Sequence, residues 1–405
     1  MRILAIYRHY WPDSPPYASM LRIITAHLAA EGHNVTMLTE QPSYKAADRM
    51  ASSAPHETQD GVSVRRLSRV PISNLALIRK ASAALFPARV IFHAVGQRLR
   101  GKHYDVIWTA TMPPAINGCG ARIAARILGA KFVYHFQDIY PELQTFSGNW
   151  RRGGILDRVV GWIDRGNARG SAACIALSDD MANTIAARGV DRAKIRVINN
   201  FMLSSFGVEK GVPEQLVKAS KTFRVIFAGN IGRFQGLEAF VDAARILVDE
   251  HPEIEFMILG EGTAKTALKA RAKGLPNVRF EGHMPFDAAK PVIASADLGL
   301  VSIQSGIYRT AYPSKTLTYL GLGVPVLAVV EPESVLARHI EENRVGYVVP
   351  GSDGKALAKT ICEAHNASVD ITASRERALA YYTRSLSRET ALEHWSTLMR
   401  ELDEQ

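Results

Sequence analysis

The stretch FRVIFAGNIGRFQGLE, Phe223 to Glu238, decides the fold. An apolar run gives way to Gly229, Gly232 and Gly236 and then to a helix start, so strand, glycine-rich turn and helix follow one another in a single short segment. That order is a phosphate-binding layout. The glycines let the backbone turn sharply and approach a ligand, the helix N-terminus offers free amides, and Arg233 supplies a fork-shaped cation suited to a diphosphate. Glycine turns also serve purely steric ends in many α/β proteins, so the neighbouring loops carry the decision.

The strands RVIFAG, EFMILG, VRFEG, LGLVSI and PVLAV alternate with helices at 238–250, 263–272 and 315–322. Four loops fall at the C-terminal ends of these strands: 229–236, then Gly260 to Gly262, then Glu281 to His283, then 302–315. In the last, Pro313 opens a helix with Lys315 close to its free amides. Open α/β sheets bind ligands at such strand ends, which points to a nucleotide diphosphate site. The first half repeats the alternation, with strands RILAIY, NVTMLT, VSVRRL, DVIWTAT, KFVYHF, ACIAL and KIRVIN and helices near 18–30, 115–128 and 156–166. Gly207, Gly211 and Pro213 break the rhythm between Phe201 and Lys221 and mark a connection. The expected architecture is α/β, with two doubly wound Rossmann-like domains, 1–205 and 206–385, facing a central cleft. A C-terminal helix within 386–405 carries Leu392, Trp395, Leu398 and Met399 at helical spacing.

A chain of 405 residues exceeds one ordinary core, which agrees with two domains. No stretch approaches the apolar length needed to span a bilayer, and the opening residues, broken by Arg8 and His9, read as a strand and not as a secretory signal. Cys119, Cys174 and Cys362 form no CxxC or Cys/His ligand pattern, which favours a reducing cytosol and no structural zinc. The net charge of +10 is concentrated: residues 61–104 hold nine Lys and Arg and no Asp or Glu. Arg79, Lys80 and Arg89 there interleave with Leu85, Phe86, Val90 and Phe92, a pattern for amphipathic helices on an anionic membrane surface, set against a solvated basic face over an ordinary core. No nucleic-acid module is present in that stretch.

The segments GNIGRFQGLE, ILGEG, NVRFEGHMP, SADLGLVSI and YPSKTLTYLGLGVPVLA, with HFQDIYPEL in the first half, resemble the family 4 retaining glycosyltransferases. The likeness spans essentially the whole chain and is strongest to the bacterial surface-polysaccharide subgroup of WbuB-like and colanic-acid transferases. It implies the GT-B arrangement, an acceptor-binding first domain, a donor-binding second domain and a final helix returning to the first. It also implies that Arg233 contacts the donor diphosphate, while the family's neighbouring lysine falls on Gln235 and its two glutamates fall on Thr310 and Thr318. Lys315 is the candidate replacement cation. The donor set is completed by Gly229, Asn230, Gly232, Gly260, Glu261, His283 and Ser314, and the family's frequent histidine falls on Gln137 or His135. On the acceptor side Asp138 is the polar candidate, beside Glu142, Tyr10 and Tyr17; the other reading of Asp138 is a helix cap or loop carboxylate, and of the tyrosines, buried packing.

The expected reaction moves a hexosyl group from a UDP- or GDP-linked sugar to a lipid-linked or growing saccharide at the inner face of the cytoplasmic membrane. No further cofactor and no metal is expected, since no DxD pattern stands where it would hold one. Asp138, Arg233 and Lys315 would carry the chemistry. Two other classes fit the architecture: a non-catalytic scaffold in polysaccharide assembly, suggested by Thr310 and Thr318, and a sugar-nucleotide epimerase or phosphorylase.

Overall fold

A computed structural model describes the chain outside residues 14, 44–52, 69–75, 113, 147, 149, 204–212, 233, 234 and 352, and side chains outside 76–84 and 368–370 as well. It divides into two units, Met1–Asn199 with Ala391–Gln405, and Asn200–Thr390.

In chain order the first unit contains β1 (Arg2–Ile6), α1 (Pro16–Ala30), β2 (Asn34–Glu40), β3 (His56–Gln59), β4 (Val62–Leu67), α2 (Ala76–Leu99), β5 (Val106–Ala110) and α3 (Ile116–Leu128). There follow β6 (Lys131–His135), α4 (Glu142–Phe146), α5 (Ile155–Arg169), β7 (Ala173–Ala176), α6 (Asp179–Ala187) and β8 (Ile195–Val197). The sheet runs β3-β4-β2-β1-β5-β6-β7-β8. All pairings are parallel except β3 on β4. The inner strands are near-continuous apolar runs because helices cover both faces: every residue of β5 and β7 is buried. At the edge, β3 reads HETQ and exposes alternate residues, so no hydrophobic pattern marks it in the sequence.

The second unit contains β9 (Phe223–Ala228), α7 (Glu238–Leu247), β10 (Ile254–Leu259), α8 (Lys265–Arg271), β11 (Val278–Glu281), α9 (Phe286–Ala294), β12 (Leu298–Ser302) and α10 (Lys315–Gly321). It continues with β13 (Val326–Val329), α11 (Val335–Asn343), β14 (Gly346–Val349), α12 (Gly354–Asn366) and α13 (Ser368–Ser385). The parallel sheet runs β11-β10-β9-β12-β13-β14, so strand order reverses between β9 and β12. Its core joins Phe227 of β9, Phe240 of α7 and Phe256 of β10, all at most 1% exposed. Burying each such ring contributes about 1.5–3 kcal/mol.

The last helix, α14 (Arg388–Glu404), is held to the first unit by aromatic and polar contacts. Trp395 packs on Trp108 at 4.2 Å between ring centroids. Ser396 Oγ lies 2.9 Å from His27 Nε2, Arg196 donates to Glu401 at 2.8 Å, and the Lys131 ammonium donates to the Leu402 carbonyl.

Candidate active site

In the second unit the ligand-binding position of an open parallel sheet is the switch between β9 and β12. Two loops meet there. Gly229, directly after β9, has φ +136°, and a Cβ on it would stand 2.7 Å from Lys315 Cε. Lys315, the first residue of α10 after the β12 loop, extends across that gap and sets its Nζ 4.8 Å from the Phe227 ring centroid. The side chain is half-buried, and its ammonium has no acceptor among the described residues. Burial without a counter-ion lowers its pKa from 10.5 to about 8. A half-buried, unpaired cation beside an open backbone is free to receive an anion from outside.

Tyr319, one turn after Lys315 on the same helix face, fixes this geometry. Its hydroxyl accepts from the Ala228 amide at 2.9 Å, and its ring lies where a Cβ on Gly299 would collide, at 2.5 Å. No motif marks Tyr319 in the sequence, although the four-residue spacing from Lys315 carries the signal. The α10 amides contribute less than expected: Thr316 and Leu317 already donate to the carbonyls of Pro313 and Ser314. Ser314, exposed, is the N-cap, and its side chain makes no cap bond.

The other glycines have a different reason. A Cβ on Gly260 would stand 1.9 Å from the Gly229 carbonyl oxygen, and one on Gly262 would stand 2.2 Å from that of Ile231. Ile231 N donates to the Glu261 carbonyl and Ala264 N to the Ile231 carbonyl, so the β9 and β10 loops are bonded backbone to backbone. Gly260 and Gly262 therefore permit loop crossing, and this accounts for them without a ligand. The Glu261 carboxylate is paired with Lys265 at 2.6 Å. Asn230 and His283 are exposed at the loop tips, Gln235 is half-buried and Gly232 buried. Thr310 is 1% exposed and donates its hydroxyl to the Ile307 carbonyl at 3.0 Å, turning it away from solvent; Thr318 is half-buried on α10. Glu331 accepts from Ser305 Oγ and the Gly306 amide, each at 2.6 Å, and so braces the β12 loop. Arg233 lies outside the described residues.

In the first unit the comparable switch lies between β1 and β5. Asp138, after β6, is half-buried, and its carboxylate has no hydrogen-bond donor among the described residues; burial raises its pKa to about 6. Its amide and that of Gln137 donate to Thr111 Oγ1 after β5. His135 is buried and kept neutral, its pKa lowered to about 3 by desolvation. The Gln137 amide donates to its Nε2 at 2.9 Å, so Nδ1 carries the proton and donates to the Tyr17 hydroxyl at 2.9 Å.

Three expected acceptor contacts are occupied internally. Tyr10 is 2% exposed, with its hydroxyl 3.1 Å from Thr25 Oγ1, and Tyr17 is 8% exposed, so neither ring presents a face for a sugar. Glu142 is bonded by Arg188. That arginine also donates to Asp164 at 2.7 Å and to the Tyr140 carbonyl at 2.8 Å, and Asp164 accepts from Tyr134 at 2.6 Å. This buried network sets the course of the Asp138–Glu142 loop.

Residues 17–200 match the glycosyl transferase 4-like domain, and residues 222–366 match the glycosyl transferases group 1 domain. The chain is 25% identical over 407 residues to the putative colanic acid biosynthesis glycosyl transferase WcaI of Escherichia coli K12, covering 97% of this chain and 98% of that one. It is 25% identical over 297 residues to the probable glycosyltransferase WbjE of Pseudomonas aeruginosa, covering 71% of this chain and 72% of the other. Anabaena HepE, solved with UDP and glucose, superposes with a TM-score of 0.69 at 16% identity over all of both chains, which extends the two-sheet GT-B fold to this protein. The two matched domains, in this order and over most of the sequence, make the chain a member of the group 1 glycosyltransferases.

Proposed function

We propose that the chain moves a hexosyl group from a nucleotide diphosphate sugar, UDP- or GDP-linked, to a hydroxyl of a lipid-linked or growing saccharide in surface polysaccharide biosynthesis. Configuration at the anomeric carbon is retained. The observation that carries this reading is Lys315, an unpaired, half-buried ammonium at the strand-order switch of the second unit. In the step, the bond from the anomeric carbon to the diphosphate oxygen breaks, the acceptor oxygen bonds to the same face, and the leaving diphosphate takes the acceptor's proton. Lys315 neutralises charge on the leaving group, and Asp138 accepts a hydrogen bond from a saccharide hydroxyl. HepE, which holds UDP and glucose, and WcaI, named for colanic acid synthesis, support the donor and pathway class. Incubation with UDP- and GDP-hexoses and a lipid-linked acceptor extract, read by the anomeric coupling in the product, is the test. An α-donor is expected to give an α-product, and a β-product or free sugar alone contradicts the reading.

The inward-turned Thr310 hydroxyl favours the scaffold alternative, which predicts weak or absent nucleotide binding.

An anionic membrane surface is the proposed partner of the first unit. No helix among the described residues is long and apolar enough to cross a membrane. Support comes from α5, which is inverted: it buries Gly161, Asp164, Asn167 and Ala168 and exposes Ile155 (83%), Leu156 (61%), Val159 (48%) and Trp162 (73%). Asp164 is paired with Arg188, and Asn167 donates to the Ala115 carbonyl, which permits polar groups to face inward. Helix α2, which like α5 packs on α3, exposes Leu85, Phe92, Val95 and Leu99. Arg98, Arg100, Lys102, Arg151, Arg152 and Arg158, within these two helices or a few residues from their ends, are exposed. Within the expected basic segment, Arg66 and Arg89 are instead paired with Glu57 and Glu40, and the side chains of Arg79 and Lys80 lie outside the described ones. Trp162→Ser and Phe92→Ser should each weaken sedimentation with anionic vesicles about tenfold without lowering the melting temperature. Equal partitioning of variant and parent would refute the membrane face.

A further inference from the structure

We propose that the second unit carries a transition-metal site, suited to zinc, made by His251, Glu253 and His365. His251 Nδ1 lies 3.2 Å and His365 Nε2 lies 3.5 Å from the same Glu253 oxygen, Oε1. One donor atom from each of the three residues falls within 4.8 Å of the others. Without an ion, the 3.2 Å contact is a hydrogen bond between His251 and Glu253, which a metal at the shared oxygen would replace. Donor atoms on a tetrahedron with bonds of about 2.0–2.1 Å stand about 3.3–3.4 Å apart; the two edges to Glu253, at 3.2 Å and 3.5 Å, bracket that spacing, and the third, between the histidines, lies within 4.8 Å. Two imidazoles and one carboxylate form a set that zinc favours over the hard cations calcium and magnesium.

The surroundings orient these donors. Cys362, three residues before His365 on α12, places Sγ 3.2 Å from His251 Nε2 and 3.6 Å from Asn366 Nδ2. A Cys362 S–H donating to Nε2 and an Nε2–H donating to the sulfur both fit the 3.2 Å contact; without an ion Nδ1–H donates to Glu253, and an ion at Nδ1 displaces that proton while the sulfur holds the other ring nitrogen. The His365 ring is held edge-on by Phe223 at 5.2 Å between centroids. The three side chains are 23%, 33% and 25% exposed, which leaves an ion a path in and a fourth position for water.

His251 and Glu253 occupy the turn that leads into β10, and His365 lies in the last turn of α12. The ion would tie α12 to the start of β10, the opposite end of that strand from Gly260, so its role is structural and separate from group transfer. The expectation of no structural zinc rested on cysteine spacing alone. Cys362 and His251 are 111 residues apart, and their meeting has no local signature.

Tag-free full-length protein, stripped with a chelator, would be titrated with zinc against a chromophoric competitor and with cobalt for its ligand-field absorption. The expected result is one zinc per chain and a raised melting temperature. Both effects should be lost in His365→Ala and His251→Ala and retained in His103→Ala, an exposed histidine of the other unit. Glu253→Gln, which preserves side-chain shape, should weaken zinc at least about tenfold, so the assignment does not depend on how well the histidine variants fold. Less than one equivalent in the parent, or parental affinity in Glu253→Gln, overturns the site.

Discussion

Lys315→Ala is expected to lower turnover of a nucleotide sugar by about 100- to 1,000-fold, the loss that follows when one preorganised charge is removed from the proposed leaving-group site. The size follows from the setting of the ammonium: 4.8 Å from the Phe227 ring centroid, with no carboxylate to neutralise it among the described residues. Arginine is not an adequate substitute. The gap at Gly229 is filled by a lysine methylene that a Cβ would approach to 2.7 Å, and a planar guanidinium does not pass there without moving the β9 loop. The fold should be unharmed, and the melting temperature of Lys315→Ala equal to or above the parent's, because a desolvated charge without a partner costs stability. Parental turnover in Lys315→Ala would show that the diphosphate binds elsewhere.

Arg188→Met should destabilise the protein by about 3–5 kcal/mol, because it strands the Asp164 carboxylate in a buried site. Asp164 has 1% side-chain exposure and the arginine 7%, whereas Glu142 has 36% and can recover water. Arg188→Met combined with Asp164→Leu should regain much of the loss, since both buried charges are then gone. Chemical denaturation of the three forms decides it: a single variant within about 1 kcal/mol of the parent would mean the network is solvated. The same arginine holds the Tyr140 carbonyl and Glu142, so the Asp138 loop should loosen in the single variant and KM for the acceptor rise.

The inner strands were legible because burial on both faces writes itself into the sequence as unbroken apolar runs such as VIWTA in β5. The edge strand β3 has no such run. Helix α9 was missed because Pro291 lies inside it, where sequence rules place a break. Of the site, Lys315 was legible as a cation beside a strand-end loop. The role of Gly260 and Gly262 was not, because it depends on which loop crosses them. Glu142 looked available for an acceptor because its partner Arg188 lies 46 residues away, and long-range ion pairs leave no local pattern. The outward apolar face of α5 was hidden for the same reason, since Asp164 and Asn167 find their partners only in the folded unit.

The central claim, that Lys315 binds a nucleotide diphosphate as a cation, is tested most directly by calorimetric titration with UDP, then GDP, from about pH 7.5 to pH 9, where the diphosphate is already largely ionised. A lysine whose pKa is lowered to about 8 is charged below that pH and neutral above it. Bound anion favours the charged form, so affinity should hold below about pH 8 and fall by up to tenfold per unit above it, with Lys315→Ala weak and flat throughout. Tight binding that is independent of pH and unchanged in Lys315→Ala would contradict the account, and absence of binding to the parent would favour a scaffold.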